Sequence, residues 1–320
     1  MPSKNVVRPP KLAPGSRVAL IAPAGPLLER DDLTRGQELV RALGWEPVLG
    51  ANAGNHEGYF SGTDAERLAD LNAALKDDRI DGIWCLRGGY GMTRILDGVD
   101  FAAARRRPKV VLGYSDITAL LVPLFVETGL VTFHGPIAKT EMGPFARWHL
   151  DRVITNVSAA GRLGRIKPPA DTLVPQKDRI VTLIPGVAEG QLVGGNMTLL
   201  QCLIGTKWWP DLRGSILFVE DVHEDLSSID RMFSHLRLTG KLEGVAGVLI
   251  GRFTEMEKGG DSGADGLDRV LEHYLAPLKV PVAYGFPVGH IDEQWTLPIG
   301  VKARLDATAG EVDLLEPAVV

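Results

Sequence analysis

The sequence predicts an α/β first half, with a mostly parallel sheet covered by helices on both faces, and a strand-rich α+β second half. Three observations carry this expectation. Up to residue 156, short apolar runs alternate with helix-patterned segments, as in repeated βαβ units. Between 157 and 182 the pattern dissolves, with Gly161, Gly164, Pro168, Pro169 and Pro175 among scattered charges, as expected of a linker. Beyond 183 the segments are short and turn-punctuated, and Val301 to Ala307 alternates apolar and polar residues, as a half-buried antiparallel strand does. With 320 residues, two domains are expected: 1–156, then a linker at 157–182, then 183–320.

The elements follow in order. Arg17 to Ala22, bounded by Pro14-Gly15 and Pro23-Ala-Gly25, reads as a strand. Asp32 to Leu43 suits a helix stopped by Gly44, and Trp45 to Leu49 suits the next strand. After a glycine-rich loop from Gly50 to Gly62, Thr63 and Glu66 make a capping box, with Leu68, Leu71 and Leu75 on one helical face. Ile80 to Leu86 and Lys109 to Leu112 are buried strands, the second leading into an apolar helix from Ile117 to Glu127. In the second half, Gly194-Gly-Asn-Met-Thr-Leu-Leu200 looks like a tight turn opening a helix, and Ser215 to Val219 like a strand ending in Glu220-Asp221. Ile229, Met232, Phe233 and Leu236 form a helical stripe, and Val245 to Ile250 is a further strand.

Composition narrows the function. The chain is 45% hydrophobic and 23% charged with a net charge of −5, which fits a globular protein and lacks the basic excess of a general nucleic-acid binder. Cys85 and Cys202 each lie in an apolar run and are expected to be buried small hydrophobes, with neither a disulfide framework nor a cysteine metal site. The N-terminus shows no apolar leader, and the longest greasy stretch, Ile117 to Val126, is interrupted by Thr118 and Pro123 and is too short for a bilayer. A soluble cytoplasmic protein without membrane or nucleic-acid partners is expected.

Chemistry concentrates at strand ends, where ligands of open α/β sheets bind. Ser115 stands at a strand-to-helix corner after Gly113. A hydroxyl there projects from a tight turn beside free helix N–H groups, although an ordinary N-cap serine would look the same. Arg87-Gly-Gly-Tyr-Gly91 ends another strand and suits an oxyanion contribution, a phosphate cradle or a plain turn. No full dinucleotide fingerprint or Walker ending occurs, and the first strand runs into Ala22-Pro-Ala-Gly-Pro26, which argues against a nucleotide cofactor. A serine enzyme needs a base and an orienting acid. Of the seven histidines, His290 in the loop Gly285-Phe-Pro-Val-Gly-His290 is the first candidate and His134, at a strand end, the second. His56, His149, His235 and His273 suit solvated or satisfied roles. Glu220, directly after four apolar residues, suits the acid, while Asp221, Glu224 and Asp225 read as surface or helix-start charges. A metal site from Glu220, His223 and Glu224 lacks the required spacing, so no metal or cofactor is expected. Arg87 or Arg94 could pair with a substrate carboxylate.

Leu86-Arg-Gly-Gly-Tyr-Gly91, Gly113-Tyr-Ser-Asp-Ile-Thr-Ala-Leu120, Gly194-Gly-Asn-Met-Thr-Leu-Leu200, Leu217-Phe-Val-Glu-Asp-Val-His-Glu224 with Ile229-Asp-Arg-Met232, and Gly289-His290 before Leu297-Pro-Ile-Gly300 together resemble the LD-carboxypeptidases, or murein tetrapeptide carboxypeptidases. Met197 stands where leucine is common in that family's Gly-Gly-Asn turn. The resemblance, over nearly the whole chain, implies a serine peptidase with Ser115 as nucleophile, Glu220 as acid and His290 as base. It also implies an oxyanion hole from the backbone N–H groups of Gly89 and Asp116. It further implies a flavodoxin-like first domain, a β-rich second domain, a homodimer, and release of the terminal D-alanine from a murein tetrapeptide during cytoplasmic peptidoglycan recycling. Arg87, Tyr90 and Tyr114 are the expected substrate-binding residues. A related branch hydrolyses microcin C type peptidyl-nucleotides. An exposed Trp208 or Trp209 stacking a nucleobase would favour that branch. A non-catalytic binder of small ligands on the same glycine-rich strand ends remains the third alternative.

Overall fold

The computed structural model describes residues 5–168, 174, 178–256 and 266–320. Its first half contains β1 (Arg17–Ile21), α1 (Asp32–Ala42), β2 (Glu46–Leu49), α2 (Asp64–Lys76), β3 (Gly82–Cys85), the short helices α3 (Met92–Ile95) and α4 (Phe101–Arg106), β4 (Val110–Gly113), α5 (Thr118–Thr128), β5 (Thr132–His134) and α6 (Pro144–Ile154). The second half contains β6 (Gly161–Arg162), β7 (Val181–Ile184), β8 (Val187–Asn196), α7 (Met197–Leu203), β9 (Ile216–Val222), α8 (Leu226–Leu238), β10 (Gly247–Thr254), α9 (Gly266–Leu275), β11 (Val282–Tyr284), β12 (Leu297–Ile299), β13 (Lys302–Asp306) and β14 (Glu311–Leu314).

The first sheet runs β12-β5-β4-β3-β1-β2, with β2, β1, β3, β4 and β5 mutually parallel. This is the flavodoxin-like order, which reverses between β1 and β3 and leaves a crevice beyond their C-terminal ends. The sequence accounts for it locally. β3 and β4 are buried at every residue, as central parallel strands covered on both faces must be. The capping box forms at α2, where the Thr63 side chain accepts from the Glu66 N–H while the Glu66 side chain accepts from the Thr63 N–H. α5 is buried from Thr118 through Leu124 because it packs on β5 on one side and on α7 and β8 on the other, so an all-round apolar helix is stable there.

The second sheet runs β6-β14-β13-β8-β9-β10-β11-β7. Its centre is parallel, and antiparallel strands flank it, including β13, which fulfils the expected alternating strand. Two features exceed the sequence reading. β12 leaves the second half and closes the first sheet antiparallel to β5, with Leu297 opposite His134, and Pro298 is tolerated because this is an edge. Within the span read as linker, Gly161–Arg162 pairs with β14 and Val181–Thr182 pairs with β11. Residues 169–173 and 175–177 of that span lie outside the described residues.

Several local expectations need correction. Gly194 and Gly195 do not make a turn, since β8 runs straight through them into α7. A Cβ at Gly194 would stand 1.8 Å from the Phe218 carbonyl oxygen, so glycine is there for close strand approach. Cys85 is buried as expected, but Cys202 is exposed on α7, because the inward face of that helix is filled by Leu199, Leu200 and Leu203. Trp208 is buried and Trp209 half-buried, and Trp208 packs against Phe101, so neither offers an exposed stacking face. Asp221 is buried and accepts hydrogen bonds from Asn196 Nδ2 and from Thr198 N–H and Oγ1, anchoring the start of α7. It is not a surface charge. Asp225 caps α8 as a helix-start residue should. Among the described residues no helix is long and apolar enough to cross a membrane.

Candidate active site

The ends of β1 and β3 meet at the crevice. The Gly25 N–H donates to the Gly88 carbonyl at 2.8 Å, and a Cβ at Gly88 would lie 2.9 Å from the Ser115 Cβ, so only glycine lets the turn approach the serine. Gly89 takes φ +98°, which favours glycine. Buried side chains fix the rest of this turn. Arg67 Nη1 donates to the carbonyls of Pro23 at 2.6 Å and Gly91 at 2.9 Å, and Asp116 Oδ2 accepts the Met92 N–H at 2.8 Å. Burial pushes the Asp116 carboxyl up to about 6 against the opposing pull of the Met92 N–H and of Arg67.

Ser115 sits in the left-handed region at φ +63°, on a single 3-10 turn before α5, and no side-chain cap hydrogen bond forms at either helix start. The ordinary N-cap alternative therefore does not describe it. Strained non-glycine residues of this kind cluster at active sites and ligand clamps. The cleft, about 520 Å³, is lined by Ser115, Gly88, Gly89, Arg87 and Tyr114 from the first half and by His290 from the second.

Glu220 lies on β9 opposite Asn196 in the sheet register and is fully buried. Its Oε2 lies 2.8 Å from His290 Nδ1, which leaves His290 Nε2 for a partner in the cleft. Burial pushes the Glu220 carboxyl up, opposed by the hydrogen bond and charge of His290. Ser115 and His290 share the cleft but are not hydrogen-bonded to each other among the described contacts, a looseness common before substrate binds. The Tyr114 ring stands 4.8 Å from the His290 ring. Burial first, then the charges of Glu220 and Asp292, push the Tyr114 phenol up to about 12, so it stays a neutral donor.

The approach of Gly289 to Glu220 makes a sharp prediction. Gly289 has φ +110°, and a Cβ there would meet Glu220 Oε2 at 2.4 Å. Gly289→Ala is expected to destabilise by about 2–4 kcal/mol from backbone strain and displacement of a buried carboxylate. The same displacement of about 1 Å should lower activity by about 10²-fold. Thermal unfolding and turnover measured on one preparation check both. A variant with unchanged turnover would mean that the Glu220 position is irrelevant.

The other sequence candidates separate cleanly. Arg87 lines the cleft while its Nη1 donates to the Pro26 carbonyl. Tyr90 is exposed and packs with Tyr59 and Phe60, and its side chain is not part of the cleft lining although Gly89 before it is. Arg94 is held by Asp64 at 2.8 Å. His134 is fully buried between Tyr114 and Phe218 with both ring nitrogens unpartnered, and burial pushes it down to about 3, so it is unsuited to act as a base at neutral pH. The notional metal trio does not converge, because Glu220 faces His290 while His223 Nε2 meets Glu255 at 3.0 Å. No group of three or more metal-ligating side chains occurs among the described residues. The sequence reading missed Lys139, whose Nζ pairs with Asp32 at 3.0 Å, and Glu255, Asp292 and Gln294, all lining the cleft. The strand-end rule that found Ser115 applies also to Lys139 after β5 and Glu255 after β10.

His149 resembles His134. It is buried with both ring nitrogens unpartnered and is pushed down to about 3, chiefly by burial and secondarily by Arg152. Because both folded values lie below the ordinary 6.5, the unfolded chain binds more protons between pH 6.5 and 3, and stability falls as pH falls through that window. At pH 4.5 each histidine should remove up to about 2.7 kcal/mol. Chemical denaturation at pH 7 and pH 4.5 checks this, and His134→Gln should flatten the decline. An unchanged slope in that variant would rule out His134 as its source.

Comparison with known proteins places this geometry. Residues 18–135 match the model of the LD-carboxypeptidase N-terminal domain and residues 189–305 that of the LD-carboxypeptidase C-terminal domain. The chain is 37% identical over 312 residues to the probable murein peptide carboxypeptidase of Bacillus subtilis, covering 98% of this chain and 95% of that protein. The structure of the microcin C7 self-immunity protein MccF in complex with aspartyl sulfamoyl adenosine superposes with a TM-score of 0.87 at 27% identity, covering 98% of this chain and all of that one. Muramoyltetrapeptide carboxypeptidase from Oxalobacter formigenes superposes with a TM-score of 0.78 at 30% identity, over 93% of this chain and 98% of that one. With both domain models matched in order and whole-length relatives on the same fold, the chain belongs to the LD-carboxypeptidase family of serine-type carboxypeptidases.

Proposed function

We propose that the protein releases the terminal D-alanine of a murein tetrapeptide in the cytoplasmic recycling of peptidoglycan, through an acyl-enzyme on Ser115. The observation that carries this reading is the buried Glu220–His290 hydrogen bond opening on the cleft that holds Ser115 in a left-handed backbone. Ser115 Oγ attacks the carbonyl preceding D-alanine while His290 Nε2 takes its proton, and Glu220 holds the ring through Nδ1. The N–H groups of Gly89 and Asp116 receive the tetrahedral oxygen, His290 protonates the departing amine, and water then releases the tripeptide. The braces on the Arg87–Gly91 turn keep its N–H groups oriented before the reaction begins. Arg87, Tyr114 and Lys139 line the cleft and offer donors to the carboxylate of the leaving amino acid.

The test is release of free D-alanine from L-Ala-γ-D-Glu-meso-diaminopimelate-D-Ala. Turnover of that tetrapeptide with inertness toward an aminoacyl sulfamoyl adenosine is expected. The reverse pattern would assign the protein to the peptidyl-nucleotide branch represented by MccF. The carboxypeptidase is favoured because no tryptophan lines the cleft among the described residues, and Trp208 and Trp209 are packed elsewhere. Tight binding of either compound without turnover would instead indicate a binding protein.

A further inference from the structure

Ser115 and His290 belong to different halves of the molecule, and the loop that carries His290 crosses between them. It begins beside Glu220, where the Arg252 N–H donates to the Val288 carbonyl at 3.0 Å, and it ends in β12, which pairs with β5 of the first sheet. The Trp295 N–H closes the loop on the Pro287 carbonyl at 2.7 Å, and within it the Ile291 N–H donates to the Gly289 carbonyl at 2.9 Å. Three residues beyond His290, Glu293 reaches across to the first half. Its Oε2 accepts the Ala146 N–H at 2.7 Å, in the first turn of α6. That helix start carries no cap of its own. Gly143 at the N-cap makes no side-chain hydrogen bond, and Pro144 has no N–H to offer. The backbone at Gly143, φ −72° and ψ 172°, would suit a serine or aspartate cap. Space requires the glycine instead, because a Cβ there would stand 1.9 Å from Glu293 Oε1. A carboxylate on the free N–H groups of a helix start is charge-assisted and favoured by the helix dipole, so α6 takes its cap from the catalytic loop.

We propose that Glu293 is a positioning residue for the general base: by capping α6 from the loop of His290, it docks that loop on the half that carries Ser115 and sets the approach of the two groups. This inference rests on the reading in which His290 takes the proton of Ser115. Glu220 orients the imidazole through Nδ1, but it lies on β9 of the second half and leaves the distance to Ser115 open. α6 follows β5, the neighbour of the strand β4 that leads to Ser115, so an anchor on α6 refers the loop to the nucleophile's own sheet. A local serine cap would stabilise the helix equally well. What the remote carboxylate adds is the tie between the halves.

The experiment measures kcat and KM for D-alanine release from the tetrapeptide by wild type, Glu293→Ala, Glu293→Gln and Gly143→Ser, with an aminoacyl sulfamoyl adenosine as second substrate. Glu293→Ala should lower kcat by about 10- to 100-fold, the cost of a displacement of about 1 Å at the reacting centre, and change KM by less than about threefold. Glu293→Gln keeps an acceptor oxygen and should recover to within about threefold of wild type. Gly143→Ser separates positioning from helix stability, since its hydroxyl caps α6 locally while its Cβ displaces Glu293. It should lose kcat as Glu293→Ala does, although its Tm matches wild type. Activity kept in Gly143→Ser but lost in Glu293→Ala would reduce Glu293 to a helix cap and overturn the proposal. A kcat within about twofold of wild type in Glu293→Ala also overturns it, while leaving the carboxypeptidase intact. If wild type cleaves only the sulfamoyl adenosine, the carboxypeptidase reading falls and the same kcat ratios on that substrate decide the role of Glu293. Inertness toward both compounds overturns positioning role and carboxypeptidase alike.

Discussion

Ser115→Ala is expected to lower D-alanine release by about 10⁴- to 10⁶-fold while changing the affinity for the tetrapeptide by less than about threefold. The loss is this large because, without a nucleophile, the remaining groups can only bind the substrate and polarise its carbonyl for slow attack by water. Affinity survives because the cleft walls, from Arg87 to Gln294, are untouched. The fold should survive too. The hydroxyl caps no helix, so its removal frees no buried donor, and alanine at φ +63° carries the same backbone strain as serine. Ser115→Gly makes the complementary point. It should be as inactive, yet more stable by about 1 kcal/mol, since glycine enters the left-handed region without a penalty. A strained residue whose relief stabilises the protein and ends its activity is one retained for function. Single-turnover assays with isothermal titration check activity and affinity, and thermal unfolding checks the glycine variant. Retention of more than about one per cent of turnover in Ser115→Ala would remove Ser115 as the nucleophile.

What the sequence reveals divides by the range of the interactions involved. Strand ends were legible because β3 and β4 are buried on both faces, which makes Ile83 to Leu86 and Val110 to Leu112 continuous apolar runs, and glycine must follow where Gly88 and Gly89 touch Gly25 and Ser115. The capping box of α2 was legible because its partners are three residues apart. The hidden features involve distant partners. β12 looks like part of the second half, and only its pairing with β5 places it in the first sheet. The Gly194-Gly195 pair reads as a turn locally, and its true reason is the Phe218 backbone on the neighbouring strand. Asp221 looks like a surface charge beside Glu220, yet its partners Asn196 and Thr198 come from a separate segment. The fate of the histidines was equally nonlocal. His134 and His290 both stand by glycine and proline, and what separates them is that Phe218 and Tyr114 enclose one while Glu220 meets the other. Glu220 was singled out by its strand-end position and His290 by its glycine- and proline-shaped loop, and the structure joins them in one hydrogen bond, whereas Glu255, Asp292 and Gln294 escaped notice because they reach the cleft from the end of β10 and from the loop after His290.

Glu220→Gln is expected to move activity and stability in opposite directions. A carboxylate accepting from Nδ1–H fixes the imidazole tautomer with Nε2 unprotonated, ready to take the serine proton. An amide can instead donate to Nδ1, which leaves the proton on Nε2 and disables the base, so turnover should fall by about 10³- to 10⁴-fold with little change in KM. Stability follows different physics. Glu220 is fully buried, one of its oxygens has no partner, and burial holds its folded-state value above the ordinary carboxyl value of 4.5. For a group raised in this way the folded protein binds more protons than the unfolded chain as pH rises past 4.5, so the carboxyl weakens the fold progressively up to its folded value. Glutamine has the same shape and no charge to desolvate. The variant should therefore match wild type at pH 4 and exceed it in Tm at pH 8, the gap opening between the two. Denaturant titrations at both pH values, run beside steady-state kinetics, decide the matter. A variant that keeps its turnover, or is markedly less stable at pH 8 than at pH 4 relative to wild type, would show that the carboxylate is retained for structure and that the orientation of His290 has another source.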